Sequence, residues 1–93
     1  MSTEPLGAPP SSLKNLGPEM DRMLSEIGIE TAAEVRRLGA PMVYQMLRHR
    51  FGTRVNRIAL WALAGALEER HWAGFSESEK AALDRAATDL EVG

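Results

Sequence analysis

Residues 24–35 read Leu-Ser-Glu-Ile-Gly-Ile-Glu-Thr-Ala-Ala-Glu-Val, and eleven residues before Glu26-Ile27-Gly28 stands a matching tripeptide, Asn15-Leu16-Gly17. Each tripeptide is followed by a helix-forming stretch. On the pattern hxGhGxxxAxxh, where h is apolar, the 24–35 segment departs only at Glu26, which replaces the first glycine. The earlier copy, residues 13–24, is looser: it keeps Leu16, Gly17 and Leu24 but has Asp21 at the small-residue position. The pair predicts tandem helix-hairpin-helix units. Asn15, Gly17 and Gly28 are then the hairpin-turn residues. Glycines in such hairpins let the backbone turn tightly and approach a phosphate, which amides at the next helix N-terminus can bind.

Outward from the hairpins the chain reads as five helices. Pro18, whose fixed φ suits the first helical position, opens a helix with Met20, Met23, Leu24 and Ile27 on one side, ended by Gly28. Thr31 and Glu34 form a capping box for a second helix that runs to Leu38 and stops at Gly39. Pro41 opens a third through about His49, with Met42, Met46 and Leu47 inward. Gly52 breaks the chain, and Thr53 is the expected N-cap of a fourth helix extending to about His71. Its stretch Ile58 to Leu67 is apolar around most of its circumference, which predicts the central, most buried element. A capping box at Ser76–Glu79 opens the fifth, which shows Leu83, Ala86, Ala87 and Leu90 on one face. No strand pattern competes. Residues 1–12, rich in Pro, Ser and small residues, are expected to form a flexible tail before a helical domain over 13–91.

Composition narrows the function classes. A chain of 93 residues, 44% hydrophobic and 26% charged, suits one small soluble domain. It has no cysteine, which excludes disulfides, zinc–cysteine sites and thiol chemistry. There is no basic and apolar leader, and the longest apolar run is too short for a bilayer, so a cytoplasmic protein with no membrane partner is expected. Charge is segregated. Residues 35–67 hold Arg36, Arg37, Arg48, Arg50, Arg54 and Arg57 and no acid. Residues 1–34 carry two basic and six acidic groups (−4) and residues 68–93 three basic and seven acidic groups (−4), for a net −2. Such a basic middle attracts nucleic acid or an acidic protein surface, unless the flanks neutralise it within the fold.

Separated motifs then resemble one family. Leu13-Lys14-Asn15-Leu16-Gly17-Pro18, Ile27-Gly28-Ile29 with Thr31, Leu38-Gly39-Ala40 with Tyr44, Asn56, Ala62-Leu63, Gly65-Ala66-Leu67 and His71-Trp72 follow in the order of the C-terminal domain of the TfoX/Sxy family. The resemblance spans about residues 13–90. It implies a compact five-helix, all-α fold of helix-hairpin-helix or SAM-like type and membership in a bacterial family whose full-length members regulate natural competence, and no established biochemical activity. Those regulators carry an additional N-terminal domain, and here a tail of about twelve residues stands in its place, as expected of a stand-alone relative.

The hairpins themselves argue against phosphate binding. Glu26, Glu30 and Glu34 crowd the second, and in the first Pro18 removes a donor while Glu19 and Asp21 add negative charge. Nucleic acid would therefore have to be held by arginines. Arg36 and Arg37 in the last turn of the second helix, and Arg48 and Arg50 at the end of the third, complement the carbonyl end of a helix dipole. Arg54 and Arg57, expected in the first turn of the fourth helix, have no such role. At 100° per residue Arg54, Arg57, Trp61 and Gly65 share a stripe about 80° wide. That stripe suits stacking on a base or gripping a partner's acidic side chain, with Gly65 permitting close approach. The competing reading packs Trp61 against another helix over Gly65, with the arginines paired to Glu30, Glu34 or Glu68.

Enzyme signatures are missing. His49 and His71 lie on different predicted helices in no metal or paired-base spacing, Ser11, Ser12, Ser76 and Ser78 fall in the tail or at a helix start, and no glycine-rich phosphate loop occurs. The sequence thus points to a regulatory protein–protein interaction module without cofactor or metal, with Arg48, Arg50, Arg54, Arg57 and Trp61 as candidate contacts. Expected partners are a transcription factor, a separate N-terminal-domain protein or a second copy. The alternative is weak, mainly electrostatic DNA binding through the same arginines.

Overall fold

The computed structural model describes residues 7–90. Five α-helices occupy them: α1 (Pro18–Glu26), α2 (Ala32–Leu38), α3 (Ala40–Phe51), α4 (Arg57–Leu67) and α5 (Glu77–Asp89), with single 3₁₀ turns at Pro10–Ser12, Gly52–Arg54 and Trp72–Gly74. No strand occurs among the described residues.

Local chemistry explains most boundaries. Helix α1 ends in a Schellman motif: Ile29 N donates to Leu24 O at 2.9 Å and Gly28 N to Ser25 O at 3.1 Å, with Gly28 at φ +85°. Thr31 caps α2 by accepting from Glu34 N at 3.2 Å, and the Ser76–Glu79 capping box of α5 is complete in both directions. The core gathers Leu24, Ile29, Val35, Val43, Leu47, Val55, Leu60 and Leu63, each at most 2% exposed. Burying one such side chain contributes about 2 kcal/mol. Helix α4 supplies most of the centre, with Leu60 and Ala62 to Ala66 all buried, and α3 and α5 pack against it and against each other.

Four expectations need correction. Residues 8–12 are not a tail. Ala8 and Pro10 are buried, Ala8 O accepts from Ala32 N at 2.8 Å, and Ser11 N donates to Asp21 Oδ1 at 2.7 Å. That docking gives the Asp at the "small" position of the first hairpin a structural task; residues 1–6 of the expected tail lie outside the described residues. Thr53 does not cap α4. Residues 52–54 make a 3₁₀ turn that inserts Val55 (2% exposed) into the core, and Asn56 accepts from Ile58 N at 3.0 Å instead. Arg54 therefore precedes α4, and the Arg54–Arg57–Trp61–Gly65 stripe does not form. Met42, Ile58, Ala86 and Leu90 are exposed rather than inward.

The fourth correction concerns where α4 stops. It ends at Leu67 rather than near His71, through a second Schellman motif: Arg70 N donates to Gly65 O at 2.9 Å and Glu69 N to Ala66 O at 3.3 Å. Glu69 takes the left-handed position at φ +55°, where glycine is usual. The chain then folds back over Gly65. A Cβ on Gly65 would lie 2.5 Å from Arg70 O and 2.6 Å from Asn15 Nδ2, so the position is filled from within and offers no approach to a partner.

Candidate functional site

The last turn of α3, the 3₁₀ turn and the first turn of α4 are consecutive in the chain, so Arg48, Arg50, Arg54 and Arg57 gather at one corner. None of them is a bare charge. Arg50 pairs with Glu26 at the end of α1, Nη2 to Oε1 2.8 Å, and its guanidinium carbon lies 5.0 Å from the Phe51 ring centre. Arg54 lies over the same ring at 5.7 Å. Arg48 Nη1 donates to Val55 O at 2.9 Å, which ties α3 to the chain entering α4. Arg57 Nη1 pairs with Asp84 Oδ2 on α5 at 2.9 Å. The acids that neutralise this corner are thus Glu26 and Asp84, not the Glu30, Glu34 or Glu68 expected from sequence.

Trp61 is half-buried against α5. Its Nε1–H donates to Asp84 Oδ1 at 3.1 Å, its ring centre is 5.9 Å from that of Trp72, and Lys80 Nζ sits 4.8 Å above it. Two-sided engagement by Asp84 and Lys80 makes this tryptophan an α4–α5 joint, so Trp61 and the arginine corner share Asp84 rather than a continuous stripe. The phosphate-hairpin geometry is likewise taken up within the protein: Glu34 Oε1 accepts from Glu30 N at 3.1 Å, and Ser25 Oγ donates to Glu30. Gly17 is the N-cap of α1, and Asn15 adopts φ +74° with its side chain directed inward. His71 Nδ1 caps the last 3₁₀ turn by accepting from Ala73 N at 3.1 Å.

Between α3, the start of α4 and α5 lies a cleft of about 260 Å³ lined by Tyr44, Gln45, Arg48, Asn56, Arg57, Asp84, Ala87 and Thr88. Tyr44 and Arg48 are one helical turn apart on α3, a spacing visible in sequence once Tyr44 is considered as more than core. Asp84 carried no comparable signal, since its partners lie 23 and 27 residues away. No group of three or more His, Asp or Glu suited to a metal ion occurs among the described residues. No helix among them is long and apolar enough to cross a membrane.

Comparison with known proteins gives a consistent result. Residues 10–87 match the model of the family described as "TfoX C-terminal domain". The chain is 31% identical over 71 residues to the DNA transformation protein TfoX1 of Aliivibrio fischeri, an overlap of 76% of this chain and 34% of that protein. It therefore spans about a third of the length of that curated relative. Two crystal structures from Listeria monocytogenes are similar, each at 28% identity. An uncharacterized protein in a triclinic form gives a TM-score of 0.78, over 90% of this chain and 94% of its own. A protein of unknown function in a tetragonal form gives 0.75, over 88% and 99%.

Proposed function

The chain belongs to the TfoX C-terminal domain family, a regulatory family linked to competence, and from that membership we propose that it is a non-enzymatic module that binds another protein. The α3–α4 corner is its contact surface. What carries this reading is the pairing of Arg50 with Glu26 and of Arg57 with Asp84. A surface that tracks a phosphate backbone needs cations free to displace counterions. Here cations alternate with acids and sit on the Phe51 ring, a composition closer to the Arg- and aromatic-rich centre of a protein interface. Exposed pairs of this kind contribute little to stability, about 1 kcal/mol or less. They can therefore exchange their internal partner for an external one at small cost, so it is the acids Glu26 and Asp84 standing among the arginines, more than the pairing itself, that disfavour a chain of phosphates. Candidate partners are a transcription factor, a separate N-terminal-domain protein or a second copy of the chain, and the setting is cytoplasmic.

Titration of labelled duplex DNA with the wild-type protein and with a folded Arg48→Glu/Arg54→Glu variant tests this against the DNA alternative. At near-physiological salt neither protein is expected to bind measurably. Wild-type binding that falls steeply with salt and vanishes in the variant overturns the reading in favour of DNA.

A further inference from the structure

The lining of the cleft between α3, α4 and α5 includes donors from which no described residue accepts. Tyr44 is only 5% exposed, yet its hydroxyl makes no hydrogen bond to any described residue. A buried tyrosine O–H normally finds a partner. Among the described residues no sealed side-chain N or O atom lacks one, so the Tyr44 hydroxyl opens onto the cleft that its side chain lines. Asn56 uses only its Oδ1, which accepts from Ile58 N, and its amide N–H₂ has no acceptor among the described residues. Arg48 uses one N–H on Val55 O and Arg57 one on Asp84, which leaves further guanidinium donors on both. The acid in the wall, Asp84, has both oxygens engaged, Oδ1 by Trp61 and Oδ2 by Arg57.

Two cations, one acid, the buried Tyr44 hydroxyl and solvent-facing donors on the exposed Arg48, Asn56 and Arg57 line one small volume, a composition that suits an acceptor carrying negative charge. We propose that this cleft receives a single carboxylate from an acidic side chain of the partner protein, held by the Tyr44 hydroxyl, the Asn56 amide, and Arg48 and Arg57. A carboxylate suits the cleft better than a nucleic-acid phosphate. Asp84 lies in the wall, and α5 carries four acids (Glu77, Glu79, Asp84, Asp89) against two cations (Lys80, Arg85), so a chain of phosphates would meet a net negative helix on that side, whereas a single carboxylate need contact only the arginine edge of the cleft. One carboxylate fits beside Asp84 and shares Arg57 with it. This assignment rests on the protein-binding reading above and names the chemistry that the partner must present.

The test is a heteronuclear NMR titration of the full chain at fixed ionic strength, with acetate, with inorganic phosphate, and with chloride as the control. Acetate gives saturable shifts at the Arg48 and Arg57 Nε–H groups and at the Asn56 side-chain amide. Tyr44→Phe, which keeps the buried ring and so the fold, weakens acetate about five- to tenfold, the loss expected for one hydrogen bond. Arg37→Gln, exposed on α2 and outside the cleft, leaves the acetate affinity unchanged. Shifts that do not saturate, or that are the same in Tyr44→Phe, overturn the proposal. Saturation by phosphate without saturation by acetate also overturns it and assigns the cleft to a phosphate group. A partner found at the α3–α4 corner while acetate fails would remove this inference and leave the protein-binding reading standing.

Discussion

The side-chain amide of Asn15 donates to the carbonyl of Arg70 at 2.9 Å and to that of Ala62 at 3.3 Å, joining the first hairpin to the end of α4. The contact passes directly over Gly65, where a Cβ would lie 2.6 Å from the same amide nitrogen. Asn15 reaches it from a left-handed backbone conformation, which asparagine tolerates better than other residues with side chains.

Asn15→Ala therefore loses two hydrogen bonds and gains backbone strain, for an expected loss of about 2 kcal/mol in urea denaturation. Asn15→Gly removes the amide without the strain and should also destabilise. Gly65→Ala drives a methyl into the Arg70 carbonyl and into the Asn15 amide that its two hydrogen bonds hold in place, with an expected loss of about 3 kcal/mol. If all three variants unfold at the wild-type urea concentration, the joint has no energetic role.

Glu69 holds the left-handed position of the second Schellman motif at φ +55°. Glu69→Gly removes that strain and is expected to raise stability by about 1 kcal/mol, read as a higher urea midpoint at unchanged slope. A lower midpoint would mean that the Glu69 side chain contributes more than its backbone costs.

Glu79 completes the α5 capping box by accepting from Ser76 N at 2.8 Å, and it pairs with Arg70 at 3.0 Å. The Ser76 amide, followed by the Arg70 guanidinium, holds its carboxyl below the ordinary glutamate value. A carboxyl lowered in the folded state adds stability that is full above its unfolded value and lost as pH falls through the folded one. Denaturation between pH 7 and pH 3 should therefore show a smaller acid-induced loss in Glu79→Gln than in wild type. An identical loss in both would show that Glu79 is not part of the acid response.

Leu63 is fully buried at the centre of α4. Leu63→Asp places a carboxylate there with no partner, and loss of the cooperative unfolding transition is expected by circular dichroism.

Much of this fold is legible in the sequence, because caps and turn residues act locally. Thr31 with Glu34, Ser76 with Glu79, and Gly28 each fix an end within a few residues of themselves. What was not legible depends on distant contacts. Residues 8–12 look disordered by composition, but Asp21 and Ala32 supply their hydrogen bonds. The left-handed position that closes α4 is held by Glu69 rather than by a glycine, and the Asn15–Arg70 contact over Gly65 that accompanies it joins residues far apart in sequence. At the candidate site the arginines could be named from their run, but their partners Glu26 and Asp84 are brought in by packing. Tyr44 shows itself as a donor only once its surroundings show that nothing among the described residues accepts from it.

The most direct measurement places a photo-crosslinking amino acid at position 54 of the full chain in its host cells, with position 33, exposed on α2, as the control site. A discrete protein adduct is expected at position 54, none at position 33, and loss of the adduct when Arg48→Glu is added to a chain that still folds. No protein adduct at position 54, or one that persists in Arg48→Glu, would contradict a protein-binding role for the α3–α4 corner.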